Sequence, residues 1–376
     1  MRKAFLLALI ENLKFAGRLL RAIPCDNFFY TLLRLLVFPL AWLGIFTLTL
    51  LHFCFFFIDE LLFLGYRKIQ VRAPIFVLGV PRSGTTWLQR VLANDKKLST
   101  LTLAEALFAP SITQRYILKG LSWLLSPLTI LLNRLPFQPL KRMDAIHKIR
   151  FSEPEEDFIL LIPLHACFLL LLLCPKSKHY WQLARFDAAV SPATQKVIMH
   201  FYELCIKKHL YYHGAHLSFL SKNPSFTPFI GALKSQFHDA HIVACTRSPS
   251  ETVPSQLNSL KPTQELIGIG LKESQFNQLM VDVLLHYYRT IDQNRAELFV
   301  VEMQQLNTHL EQTVKKLYSA IGKVYDSEFA AVIKALSEKG RNYKSEHHYD
   351  LSAYHITPDE LAETFSPYWP IEPNLI

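Results

Sequence analysis

The sequence predicts an α/β fold: a P-loop-type parallel sheet flanked by helices, preceded by helices that associate with a membrane. Three observations carry this reading. After residue 70, short apolar runs alternate with segments of helical period, the pattern of a parallel sheet with helical crossovers. One of those runs opens into a loop bracketed by Gly79 and Gly84, and helical spacing resumes directly after it. Residues 35–58 contain no Asp, Glu, Lys or Arg, a run longer than the roughly 20 apolar residues needed to cross a bilayer core.

From the N-terminus, residues 4–24 read as an amphipathic basic helix, with Leu6, Leu7, Ile10, Leu13 and Phe15 interleaved with Lys14, Arg18 and Arg21. Such a segment lies on a membrane surface. The 35–58 run is the anchor, as a span or as a re-entrant or monotopic helix; a buried core helix is the alternative. A secretory signal fits badly, because the run is too long and starts too far in. Arg2, Lys3, Lys14, Arg18, Arg21 and Arg34 precede it, and Arg67, Lys68 and Arg72 follow Asp59 and Glu60. The excess of basic residues before the run favours a cytoplasmic N-terminus. A single span would then put the remaining chain on the far side, whereas a hairpin or monotopic helix keeps it cytoplasmic.

The strand Ile75-Phe76-Val77-Leu78 is followed by a helix over 86–93. Residues 108–190 hold two apolar stretches, 117–135 and 158–174, the second after Glu153, Glu155, Glu156 and Asp157. These read as helices that shape an acceptor pocket or touch the bilayer. Ser191-Pro192 starts a helix that Gly214 ends. Further strands are expected at 217–220, 242–245 and 298–301, and a further helix at 275–295.

Half of the 376 residues are hydrophobic, and the net charge of +9 points to anionic partners. No run of Lys and Arg interleaved with aromatics is present, which argues against a nucleic-acid partner. The six cysteines form no CxxC pair and mostly sit in apolar stretches. They read as free buried thiols in a reducing compartment, with neither a disulfide framework nor a zinc site.

The chemistry starts at Gly79-Val80-Pro81-Arg82-Ser83-Gly84-Thr85-Thr86-Trp87. Backbone N–H groups of such a loop curl around a phosphate, and the following helix N-terminus adds donors and a favourable dipole. The pattern resembles GxxxxGK[ST], with Thr85 standing where the lysine would be. Without that lysine the loop lacks the charge that reaches a β/γ-phosphate pair. Arg82 supplies a cation from another position, and the hydroxyls of Ser83, Thr85 and Thr86 add donors. Such a site suits one terminal phosphate with an attached sulfonate and no magnesium. A ligand-free Gly/Ser turn is the alternative.

A second handle follows the strand Ile242-Val243-Ala244-Cys245-Thr246. Kinases and GTPases place an acidic metal ligand after such a strand; here Arg247 stands there, which grips phosphate rather than magnesium. Ser255 lies about two helical turns further on. The loop resembles the 5′-phosphosulfate loop of the sulfotransferase superfamily, and Arg247 with Ser255 resembles that family's 3′-phosphate motif in residue type and spacing. The resemblance covers residues 73–350 and is nearest to the branch containing bacterial sulfotransferases of lipid-like acceptors and the tyrosylprotein sulfotransferases. The cytosolic branch usually has Lys where this chain has Arg82.

The resemblance implies a sulfotransferase fold over residues 71–376, with 108–190 on the acceptor side and 1–70 as the membrane anchor. It implies the donor 3′-phosphoadenosine-5′-phosphosulfate (PAPS), the product nucleotide PAP, and no metal. Glu105 resembles the family's base, and its apolar neighbours Leu103, Leu107 and Phe108 should raise its pKa by desolvation. His165, Glu155, Glu156 and Asp157 are the alternative bases. Lys222, in Lys222-Asn223-Pro224, resembles the lysine of a Lys-x-Pro segment that contacts the bridging oxygen, a role Arg82 would share. Tyr343 and Lys344 resemble a stretch of bacterial members and, with Lys339 and Arg341, would close over the nucleotide; His347 and His348 point apart and do not form a metal pair. The greasy stretches suggest a hydrophobic or glycosylated acceptor such as a lipid, quinol, sterol or glycolipid, with a carbohydrate or protein tyrosine also open. The expected location is a membrane with the catalytic part on the cytoplasmic side, or a Golgi lumen in a eukaryotic host. The rivals are a P-loop kinase and a non-catalytic nucleotide-binding membrane protein.

Overall fold

The computed structural model describes residues 1–24, 27–121, 151, 153–268, 273–340, 354 and 356–370. Most of the 117–135 stretch, and Arg341, Tyr343, Lys344, His347 and His348, lie outside the described residues.

Two long helices open the chain, α1 (Arg2–Ala22) and α2 (Phe28–Leu62). A five-stranded sheet follows, formed by β1 (Ile75–Gly79), β2 (Leu98–Ser99), β3 (Ser218–Lys222), β4 (His241–Thr246) and β5 (Phe299–Glu302). Its order is β2-β3-β1-β4-β5 and every pairing is parallel. The crossovers include α3 (Thr85–Leu92) and α4 (Leu103–Phe108), then α5 (Pro192–His213), α6 (Pro249–Ile267) and α7 (Glu273–Asn294), with a short helix at Ile230–Gln236 between β3 and β4. β1 is central and buried throughout, as expected of a strand covered on both faces. Phe76 and Leu78 point into one core with α5 and α7; Ile75 and Val77 point into the other, with α3 and Leu310–Ala320.

The expected strands and the helices at 86–93, 191–213 and 275–295 all appear within a few residues of their expected bounds. β2 has two residues, too short to display a period. The 158–174 stretch departs from expectation: it forms 3-10 turns at Asp157–Leu164 and Phe168–Leu172. Pro163 lies inside the first turn, and His165 then takes a left-handed φ of 52°, so no α-helix propagates through. The segment is buried in the main core, where it packs against α1 and α2.

The N-terminal helices, expected as a separate anchor, belong to that same core through Ala8, Phe15, Phe38, Phe53 and Phe56. The far end of α2 is locked by a fully buried ion pair, Lys208 Nζ to Asp59 Oδ2 at 2.9 Å. Asp59 also accepts from the amides of Ile112 and Thr113, at 2.8 and 2.9 Å, and the ammonium lies 3.8 Å from the Tyr66 ring centroid. Removing one partner of such a pair leaves the other charged and dry. Lys208→Met should cost about 3–5 kcal/mol in denaturant unfolding, and adding Asp59→Asn should recover part of that loss.

Candidate active site

β1 and β4 approach so closely at the sheet's carboxyl edge that only glycine fits at residue 79. Its φ is 131°, and a Cβ there would sit 2.0 Å from the Cys245 carbonyl oxygen. The Val80 amide donates to that oxygen at 3.0 Å. Thr227 braces the same point: its Oγ1 accepts from the Gly79 amide at 3.0 Å and donates to the Gly79 carbonyl at 2.7 Å. The chain then curls through Arg82 (φ 64°) and Gly84 (φ 87°) into α3. Gly84 is the N-cap and offers no capping side chain, which leaves the first-turn amides of α3 for a ligand.

The hydroxyls of the loop are not equivalent. Ser83 is fully buried, and its Oγ donates to the carbonyls of Val80 (2.6 Å) and Cys245 (3.0 Å). It shapes the loop from inside, contrary to the expectation of a phosphate donor. Thr85 is buried, Thr86 is exposed, and Trp87 packs half-buried against the second core.

The loop and the second handle meet. Arg82 Nε donates to Ser255 Oγ at 3.1 Å, and Arg247 Nη1 donates to the Arg82 carbonyl at 3.3 Å. Arg247 directly follows β4, and its own carbonyl accepts from the Tyr288 hydroxyl at 2.5 Å. The Nε and Nη2 of Arg247 meet the Glu251 carboxylate at 3.3 and 3.0 Å. Glu251 lies one helical turn on and was visible by spacing. Thr227 and Tyr288 were not, because their link to the site exists only in the folded chain.

Lys222 is the last residue of β3, level with Val77 in the sheet register and buried. Its Nζ donates to Glu156 Oε1 at 2.9 Å and lies 3.7 Å from Glu155 Oε1. The acidic turn therefore folds onto the sheet edge and is not a solvated surface turn. Asp157 behind it is fully buried and bonded to the Tyr202 hydroxyl. Burial pushes its carboxyl up to about 7, against the Tyr202 and Ser221 hydrogen bonds.

Glu105 sits differently from its expected setting. It caps its own helix with Thr102, and its Oε1 meets His213 Nε2 at 2.5 Å and Arg115 Nε at 3.9 Å. None of its hydrogen-bond or ion-pair partners belongs to the phosphate loop or to Lys222. Burial alone would raise its pKa, but the His213 hydrogen bond and the Arg115 charge outweigh burial and hold the carboxyl well below the usual range. The expected upward shift is thus reversed. His209 and His213, one turn apart on α5, bring ring nitrogens within 4.8 Å of Glu105. The buried Arg115 guanidinium already supplies a cation there, so the donor set does not suit a metal ion. His165, another candidate base, is a core residue: burial brings it down to about 3, and its Nδ1 lies 3.1 Å from the Tyr180 hydroxyl.

A parallel sheet with a glycine-bracketed anion loop is shared by several enzyme classes, and comparison with known proteins decides among them. The model of the sulfotransferase family matches residues 74–327. The chain belongs to the sulfotransferase family. Two solved mycobacterial structures share its fold. Sulfotransferase STF1 from Mycobacterium tuberculosis H37Rv superposes with a TM-score of 0.65 at 18% identity, covering 95% of this chain and 92% of that one. Sulfotransferase STF9 from Mycobacterium avium gives a TM-score of 0.63 at 18% identity, over 82% and 80%. No curated protein sequence matches the chain. As a sulfotransferase it carries out sulfuryl transfer, and the α/β fold expected from the sequence is the fold of these relatives.

The Glu105 ion pair has a pH signature. A carboxyl whose folded pKa is depressed contributes stability that is present above its unfolded value and lost as pH falls through the folded one. Glu105→Gln should therefore unfold more readily than the wild type at neutral pH. The gap between the two proteins should narrow as pH falls below the ordinary value of 4.5, as read by urea unfolding across an acid series.

Proposed function

We propose that this sulfotransferase moves a sulfuryl group from PAPS to the hydroxyl of an apolar, lipid-like acceptor at a membrane. The observation that supports the reading is the Arg82–Ser255 contact at 3.1 Å, which joins the glycine-bracketed loop to the helix that follows Arg247. The residues present fit a doubly phosphorylated nucleotide, with amides at the α3 N-terminus for one end and Arg247 with Ser255 for the other. PAPS supplies a sulfuryl group on a good phosphate leaving group.

In this reading the α3 amides and Arg82 hold the 5′ end, and Arg247 exchanges its Glu251 partner for the 3′-phosphate. Lys222 donates to the bridging oxygen as the sulfur–oxygen bond to phosphate breaks and the bond to the acceptor oxygen forms. The acceptor's proton passes to Glu156, the nearer of the two carboxylates that meet Lys222. Glu105, the base implied by resemblance, is the alternative; its engagement with His213 and Arg115 favours a structural role. A kinase reading is disfavoured by Arg247 standing where a magnesium ligand would be needed.

Four substitutions test this with titration calorimetry for PAP and radiolabelled PAPS for turnover on a membrane lipid extract. Arg247→Ala should weaken PAP binding by about 10–100-fold, the worth of a charged hydrogen bond. Lys222→Ala should keep PAP affinity within a few-fold and lower turnover by roughly 100-fold. Glu156→Gln should lower turnover by about 100-fold or more, while Glu105→Gln should keep most of it. The reverse pattern for the two glutamates returns the base role to Glu105. Hydrolysis of ATP with magnesium and indifference to PAPS would favour a kinase, and PAP binding without turnover on any lipid a non-catalytic protein.

A further inference from the structure

The long apolar helix α2 has 35 residues, so it runs about 52 Å, well beyond the roughly 30 Å core of a bilayer. Its two ends are bonded to one folded body. Near the start, the Tyr30 hydroxyl donates to the Glu265 carbonyl of α6 at 2.8 Å. Near the end, Asp59 is paired with Lys208 of α5 at 2.9 Å, with both side chains fully buried. Those two ties lie about 43 Å apart along the helix axis. Between them, Trp42 Nε1 donates to the Asn12 carbonyl of α1 at 3.1 Å, and Phe53 and Phe56 pack on Phe201 of α5. A helix tied along its whole length to one side of a domain cannot carry that domain on one end and cross a membrane with the rest.

Among the described residues, nothing covers the opposite face of α2. Leu32, Leu36, Leu40, Leu43, Leu51 and Leu62 are exposed along it, at helical spacing. The helix has three charged residues; Arg34 and Asp59 are buried and Glu60 is half-buried, so none stands on the stripe. An uncharged apolar strip of this length is far beyond the scattered apolar exposure of an ordinary surface. On the neighbouring α1, exposed Leu13 and Leu20 are each followed by an exposed base, Lys14 and Arg21. Leucines beside basic residues are the composition that binds an interface of anionic lipid.

We infer that α2 lies in the plane of an anionic bilayer with its bare stripe in one leaflet, so that both its ends stay on the same side as the catalytic domain. This rests on the membrane association proposed above and replaces a span with a monotopic seat. With both ends tied to one folded body, α2 does not carry the chain across the bilayer. A second copy of this chain is the competing occupant of the stripe.

The test uses the full chain in sealed membrane vesicles from an expressing host. In a background with Cys25→Ser and Cys54→Ser, Pro24→Cys and Lys68→Cys report the two ends of α2 by reaction with a membrane-impermeant maleimide. Both should react, or both should be shielded until permeabilisation, according to vesicle sidedness. Opposite behaviour of the two positions means a span and overturns the inference. Separately, purified chain should co-sediment with vesicles of equal parts phosphatidylcholine and phosphatidylglycerol. Leu36→Asp with Leu40→Asp should lower the partition coefficient by at least about tenfold while leaving the unfolding transition unchanged. Unaltered partitioning of that variant, or a lipid-free dimer that it splits into monomers, overturns the proposal. Neither readout involves nucleotide, so failure here leaves the sulfuryl-transfer mechanism standing, and the converse holds.

Discussion

The hydrogen bond from Arg82 to Ser255 joins residues 173 positions apart, and the site depends on what allows it. Arg82 occupies a left-handed backbone position in a loop whose curvature is set by Gly79 and Gly84. Gly79 lets β1 run against β4, and Thr227 pins both polar groups of that glycine. Ser83 fills the inside of the turn. Arg247 follows β4 by register, and Ser255 comes two turns later on α6. Together these contacts bring Arg82, Arg247 and Ser255 side by side at the carboxyl edge of a parallel sheet, where such sheets bind ligands.

Electrostatics divides the carboxylates of the region into separate settings. Glu156 shares an ammonium with the sheet edge. Asp157, one residue on, is dry, bonded to a tyrosine and pushed up to about 7 by burial. Glu105 is ionised by His213 and Arg115. Glu156 combines contact with the Lys222 ammonium and partial exposure, a setting its neighbour Glu155 shares at a longer distance. That is why the structure, more than the residue types, directs attention to the acidic turn.

The sequence made some of this legible and hid the rest for physical reasons. β1, β3, β4 and β5 show as apolar runs because a strand buried on both faces has little room for polar side chains. Arg247 and Ser255 were legible because their spacing is local. The 158–174 stretch looked helical because apolar length alone cannot register Pro163 or the left-handed turn at His165. The lowered pKa of Glu105 was invisible because His213 and Arg115 reach it only through the fold. For α2, composition announced an apolar helix, but nothing in the run of letters distinguishes the face bonded to the domain from the bare one.

Comparing nucleotides on the wild-type protein tests the central claim, that two handles grip the two ends of one doubly phosphorylated adenosine. Binding of PAP, adenosine 5′-phosphate and adenosine 3′-phosphate should be measured side by side by calorimetry. The account predicts that PAP binds tighter than either monophosphate by about 10–100-fold, since each lacks one charge-assisted contact. Equal affinity for PAP and adenosine 5′-phosphate would mean that Arg247 and Ser255 hold no phosphate, and would contradict it.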